Sequence, residues 1–385
     1  MTFISPTLLA SVLTATCMGE TMQLHTTAAL DTADSGAKLY FYQPDVCGSE
    51  ATFNPLTVMV NGAFDILRQP AYTKQPADVH WRQGFKNVFR NVSRPDETIE
   101  RTGGWRSFVA HEVFPYRGMG DGQVQFLPNY ALHVLGEGMV NRKLAEWYEV
   151  NGFPAPMLWA IATSFTTLML NEAAENGAYA GPNRDPVADI LIFNPLGWIL
   201  FALDPVAEFF SGPVRIAYWP GQAVLGVPTG NIINAGENYV LKIDIGEWSP
   251  VDLFAGFGYG AMFGLSLPIG EYGTVSAGFG PRMINLVASP SAEGRVIAAD
   301  GRTNWELSLF WDVGDSLMAS MDIGGMEDPL IRVNVYPGVV ELFGSRVGAY
   351  LVAGRYDGFA VGLTLSVLPI VPNVSLPGDD RLVRL

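Results

Sequence analysis

The stretch Asp252-Leu-Phe-Ala-Gly-Phe-Gly-Tyr-Gly-Ala-Met-Phe-Gly-Leu-Ser-Leu267 decides the fold. Large apolar residues alternate with Gly, Ala and Ser, which is the period of a strand with two unlike faces. The texture returns at residues 273–287, 304–312, 317–323, 330–336, 347–353 and 359–367, with Gly-, Asp-, Pro- and Ser-rich turns between. Before it, Tyr239, Leu241, Ile243 and Ile245 fall on one face, and Asn238, Lys242 and Asp244 on the other. Residues 213–385 are therefore predicted to form an antiparallel β-barrel of about 8–10 or more strands. Bulky residues facing outward suit a barrel in lipid, whereas bulky residues facing inward suit a soluble sandwich or lipocalin-like barrel. The lipid-facing arrangement is expected, with aromatics near strand ends, Tyr272, Trp305, Tyr336 and Tyr350 among them, as interfacial girdles.

Upstream, residues 80–212 read as an α-helical block. Trp81, Phe85, Val88, Phe89 and Val92 make an apolar helical stripe flanked by Arg82, Lys86 and Arg90. Helices are also predicted over 97–110 and 131–150, the latter with Arg142 and Glu146 at the i, i+4 spacing of an ion pair. Residues 154–176 make another, apolar all round from 157 to 170. That run of about 14 residues rises only ~21 Å against a hydrocarbon layer of ~30 Å, so burial or partial insertion is expected rather than a span. Asp185-Pro186 and Asn194-Pro195 read as helix starts, a cap followed by proline at the first helical position. Residues 20–79 are turn-rich, with short strands at 38–43 and 56–60 and a turn at Asn61-Gly62. Residues 1–19 hold a short apolar run leading to Cys17, a possible signal segment. The fold class is α+β: a membrane-apposed helical block followed by the barrel.

Composition narrows the function classes. Charged residues are 16% of 385, against about 25% in soluble domains, while hydrophobic residues reach 49%. Asp and Glu number 38 against 23 Lys and Arg, a net charge of −15, so a nucleic-acid partner is excluded. Membrane lipids are the expected partner. The two cysteines provide no metal framework.

Chemistry is concentrated in the helical block. His133 and Glu137 are four apart on one helix, Glu172 and Glu175 three apart on the next, and Asp185, Asp189 and Asn194 follow. With Asn129 they are expected to form a polar seam between helices. Carboxylates on apolar helices are costly to bury unpaired, so they must meet water, a base such as Arg142 or Arg184, or a metal. His133, Glu172 and Glu175 are the candidate catalytic residues, set against a purely structural reading as contacts and caps. The Glu-x-x-His spacing of helical metal sites is missing, so no metal or other cofactor is expected. Gly256-Phe-Gly-Tyr-Gly260 lies in a β-run without a following helix and is no dinucleotide loop.

Asn129-Tyr-Ala-Leu-His133, Asn171-Glu172-x-x-Glu175-Asn176, Asp185-Pro-x-x-Asp189 and Asn194-Pro-Leu-Gly197 together resemble an uncharacterised bacterial envelope family. That family is catalogued as a domain of unknown function and associated with outer-membrane proteins. The resemblance covers about residues 125–210 and implies an outer-membrane location, with no catalytic residues to carry over. The expected function is a structural or transport-related outer-membrane β-barrel. The alternatives are a membrane-embedded enzyme acting on envelope lipids or glycans through the His/Glu cluster, and a soluble periplasmic barrel around an apolar ligand.

Overall fold

The computed structural model describes residues 38–44, 47–68, 74–114, 130–179, 181–246, 249–258, 260–290, 296–324, 330–354 and 358–373. The possible signal segment and Asn129 lie outside them. The first helix, α1 (Pro55–Ala63), corrects a strand prediction. Asn54 accepts a hydrogen bond from the Thr57 amide at 3.0 Å, and Pro55 stands at the first helical position, so cap chemistry overrides the β-branched run. Asn61-Gly62 lies within this helix and is no turn. Residues 38–43 are not a strand either. The amides of Tyr40, Phe41 and Tyr42 all donate to the buried Glu146 carboxylate at 2.8–3.0 Å, and Arg142 pairs with it at 2.9 Å as its spacing predicts.

The helices α2 (Trp81–Ser93), α3 (Pro95–Arg101) and α4 (Gly104–Phe108) follow, and α4 continues into a π-helical turn, Val109–Val113. The single helix expected over 97–110 is broken at Gly103, whose φ is 107°. On α2 the buried face is Gly84, Asn87, Val88 and Asn91, and Phe89 of the predicted stripe is exposed. Close approach explains the shift: a Cβ on Gly84 would stand 1.8 Å from the Ala173 carbonyl.

A second π turn, Tyr130–Glu137, leads into α5 (Gly138–Val150), and α6 (Pro156–Ala178) packs against α1, α2 and α5. Expected to be buried or partly inserted, α6 is buried at Ala160, Leu168, Ala173 and Ala174 and leaves Leu158, Trp159 and Phe165 exposed. Then α7 (Asp185–Ala188), a third π turn (Asp189–Phe193) and α8 (Asn194–Phe201) make one continuous run, closed by α9 (Asp204–Ser211). Asn194 is not a cap, because the backbone before it is already helical and its side chain is engaged elsewhere. Asp185 likewise sits inside the first turn, after Arg184. No single described helix is long and apolar enough to cross a membrane.

Thirteen strands are described: β1 (Ile216–Tyr218), β2 (Val224–Gly226), β3 (Ile232–Ile233), β4 (Tyr239–Ile243), β5 (Asp252–Phe257), β6 (Ala261–Pro268), β7 (Thr274–Pro290), β8 (Val296–Val313), β9 (Ser316–Ile323), β10 (Ile331–Leu342), β11 (Ser345–Ala353), β12 (Phe359–Leu365) and β13 (Val371–Asn373). Ten of them form one antiparallel sheet ordered β1-β4-β5-β6-β7-β8-β9-β10-β11-β12. The closed barrel is therefore corrected to an open sheet with β1 and β12 as its edges. A small second sheet, β13-β2-β3, stands beside β12, and its Val224 and Ile233 pack on Tyr350, Val352 and Ala360. The large sheet is nonetheless strongly curled. Lys242 on β4 and Asp312 on β8 meet at 2.6 Å, although four strand spacings on a flat sheet would separate them by roughly 19 Å.

Its two faces differ sharply. Phe263, Leu265 and Leu267 on β6, Val275 and Phe279 on β7, Leu307 and Leu309 on β8 and Val361 and Leu363 on β12 all point outward and are exposed. Their strand neighbours Ser266, Ser276, Arg282, Glu306, Ser308, Asp312 and Thr364 are buried on the concave side. Tyr336 and Tyr350 are buried as well, so they belong to the interior and not to a girdle, whereas Tyr272 and Trp305 are exposed.

Gly84 tests the helical block. Gly84→Ala should destabilise the protein by about 1–3 kcal/mol or more through overpacking against Ala173, read as a lower denaturant midpoint. Gly152→Ala, at a position with nothing within 4 Å of a Cβ, meets no overpacking and carries only the strain of its own positive φ, which Gly84 does not have.

Candidate functional site

The three π turns each bring polar residues to the interior of the helical block. The first carries His111 and Glu112, the second His133 and Glu137, the third Asp189, with Asn194 immediately after it. A π turn closes i to i+5, so Asp189 and Asn194 lie over one another, and such turns are frequent where a site must be built. His133 joins the two elements. Its Nδ1 stands 3.0 Å from Glu137 Oε1, and its Nε2 stands 3.3 Å from Asp189 Oδ2. The Asn194 amide lies 3.0 Å from the same Nδ1. The contacting atom is the amide nitrogen Nδ2, and the Asn194 Oδ1 is buried with no hydrogen-bond partner among the described residues.

Charge decides how this cluster behaves. Burial of the His133 ring works against the cation, but the Asp189 and Glu137 carboxylates outweigh it and hold the pKa well above 6.5. Glu172 is raised well above its ordinary value, first by burial and then by the neighbouring Asp189, Asp185 and Glu175. Burial also raises Asp185, with Asp189, Glu175 and Glu112 adding to it. Glu175 is pushed up to about 7 by burial, Asp189 and Glu112. Several carboxylates thus lie near one imidazole, and burial together with their mutual repulsion favours the protonated form of Glu172, Asp185 and Glu175.

A cation could take the place of these protons. Glu172, Asp185 and Asp189 each offer an oxygen within 4.8 Å of the others, from α6, α7 and the third π turn. Three hard oxygens at that separation can converge on one centre at the 2.3–2.6 Å of calcium, or with slight contraction at the shorter magnesium distance. The His133 ring would then orient Asp189 as an outer hydrogen-bond partner. The motif spacing gave no warning of this grouping because its members come from three elements.

The expected bases do not serve the cluster. Arg184 bonds Glu112 at 2.7 Å, the Thr102 carbonyl and Ser107, while Arg142 pairs with Glu146 and Asp204. Amides reach it instead. Asn176 donates to Glu172 Oε2 at 3.1 Å and accepts from Asn183, which in turn accepts from the Asp185 backbone. Asn87 on α2 donates to the Asn176 carbonyl at 2.9 Å.

Asp65 and Glu237 were missed by sequence reasoning. The Glu237 amide donates to Asp65 Oδ1 at 2.8 Å, and Glu237 accepts from Tyr218 at 3.1 Å. Asp65 opens a single 3-10 turn, Asp65–Arg68, and Glu237 sits in irregular chain before β4, neither with a periodic signal, although Asn87 and Asn91, four apart on the buried side of a helix, were visible. Of the predicted seam, His133, Glu137, Glu172, Asp185, Asp189 and Asn194 are brought together, with Glu175 at its electrostatic edge.

Compared with protein-family models, with curated proteins and with solved structures, the chain finds no match.

Glu175 gives a pH test. The folded protein holds its pKa at about 7 against an ordinary 4.5, so the stability it contributes is complete below pH 4.5 and lost as pH rises through 7. Glu175→Gln should flatten the fall in unfolding free energy between pH 5 and 8, by at most about 3 kcal/mol. A variant whose stability tracks the parent across that range contradicts the assignment.

Proposed function

We propose that this chain is a bacterial outer-membrane protein, held in lipid by the outer face of its curled sheet, with a structural or transport-related role and the helical block lying against the membrane. One observation carries the reading: hydrocarbon side chains cover the convex face while charges and hydroxyls are buried on the concave face. In water that arrangement is inverted, and in a bilayer it is the low-energy one. Exposed Leu196, Ile199, Leu203 and Phe209 on α8 and α9 add an apolar surface to the helical block. The resemblance over residues 125–210 belongs to the same proposal.

The second reading is an enzyme acting on envelope lipids or glycans. The convergence of His133, Glu172, Asp185 and Asp189 favours it, since perturbed acids gathered beside an imidazole are the means of proton transfer.

Fractionation tests the first reading: the protein should sediment with membranes and need detergent for release. Recovery in the soluble fraction overturns it. Phe263→Arg, at a side chain 71% exposed, should cost about 2–4 kcal/mol if it lies at mid-bilayer depth, and almost nothing if it faces water. For the second reading, the double variant His133→Asn/Glu172→Gln should fold and lose any envelope-linked phenotype of the parent; a folded variant with full phenotype removes the enzyme.

A further inference from the structure

The concave side of the sheet holds a cavity of about 50 Å³, and a second of about 20 Å³ adjoins it. Both are lined by Arg68, Arg282, Arg332 and Asn234. These come from separated parts of the chain: Arg68 follows α1, Arg282 lies on β7, Arg332 on β10, and Asn234 follows β3. Aromatic rings of Trp219, Tyr239, Phe257, Phe310 and Tyr336 make much of the remaining wall of the larger cavity.

Each guanidinium has an acid beside it. Arg282 meets Glu306, Arg332 meets Asp322 and Arg68 meets Asp65, all at 2.9 Å. These acids hold the guanidiniums in place but use little of them. A guanidinium carries five N–H donors. Arg282 gives one, from a terminal nitrogen to Glu306, and its buried Nε finds no partner; Arg332 gives one, from Nε to Asp322. Both residues are less than a tenth exposed. Donors left unmet in so buried a place are costly, and a planar fork is matched by the oxygens of a phosphate or carboxylate.

We propose that this cavity binds an oxyanion head group, phosphate or carboxylate, with Arg282 and Arg332 as its principal donors and the aromatic wall against the apolar part of the same molecule. The site lies inside the sheet, none of its lining residues belongs to the His133 cluster, and its existence does not depend on what that cluster does or on whether the outer face meets lipid.

Calorimetric titration of the full chain in non-ionic detergent tests this, with dihexanoyl phosphatidic acid as the phosphate probe and octanoate as the carboxylate probe. Saturable binding of either is expected, and the probe that binds identifies the head group. Removing both members of each pair, in Arg282→Met/Glu306→Met/Arg332→Met/Asp322→Met, leaves no orphan charge and should weaken binding at least tenfold. Should that variant fail to fold, Arg282→Lys keeps the charge and the Glu306 pair but loses the fork, and binding should fall several-fold. Absence of saturable binding by both probes, or binding unchanged in a folded variant, overturns the proposal.

Discussion

The ion pair between Lys242 and Asp312, both fully buried, is the contact on which the sheet's shape depends. A charge withdrawn from water is tolerable only with a close partner and further hydrogen bonds. Lys242 also meets Asp315 at 2.5 Å, and Arg215 bonds Asp315 at 2.9 Å, so four charges from β4, the β8–β9 turn and the chain before β1 are tied together. That knot draws strands four places apart to within one side-chain contact. Curvature follows, and with it the separation of faces: beside an aromatic cluster of Trp219, Phe254, Phe310 and Tyr336, polar groups on the inside of the curled sheet must be small or mutually paired, while aliphatic residues cover the wider outside. Ser266 and Ser276, sharing a hydrogen bond of 2.7 Å, and the Arg282–Glu306 and Arg332–Asp322 pairs obey the same requirement.

The chain between β1 and β4 enters the concavity, where Trp219 packs with Phe254, Phe310, Leu317 and Tyr336 of the strands. Trp219 donates its indole N–H to the Asp315 carbonyl, Tyr336 its hydroxyl to the Pro220 carbonyl, and Asn234 its amide to Asn334 Oδ1. Irregular backbone is affordable there because polar strand residues satisfy it. The same segment carries Glu237 back toward Asp65 and the helical block, where Tyr218 and Tyr239 join the apolar cluster around Met139, Leu144 and Phe201. Sheet and helices therefore share one core, and the sheet's edge strand β1 is buried in it.

Much of the β-region was legible because alternation is strict and each strand is punctuated by Gly, Asp or Pro. Closure was not, since two-residue periodicity gives the faces of a strand but not how many strands separate Lys242 from Asp312. In the helical block, helix positions were legible and their roles less so. Asn54-Pro55 is a true cap, whereas Asn194-Pro195 has the same two residues inside a continuous helix. The difference is tertiary: His133 takes the Asn194 side chain, and nothing in local sequence states which Asn will be claimed. The π turns were also invisible, because a single extra residue per turn leaves the apolar pattern nearly intact. The seam was readable as a list of residues and unreadable as a geometry for that reason.

Charge is sorted between the two halves. Within the sheet every buried acid named above faces a guanidinium or an ammonium. Within the helical block, among the described residues, Glu172, Asp185, Asp189, Glu175 and Glu137 gather near His133, and the guanidiniums of Arg184 and Arg142 bond Glu112 and Glu146. The carboxylates are held in fixed geometry by amides that do not themselves titrate. Gln83, Asn87, Asn176 and Asn183 are such amides, linked in series from the half-buried flank of α2 to Glu172. Neutral hydrogen-bonding groups fix the carboxylates without cancelling their charge, and that combination separates this cluster from the balanced pairs of the sheet.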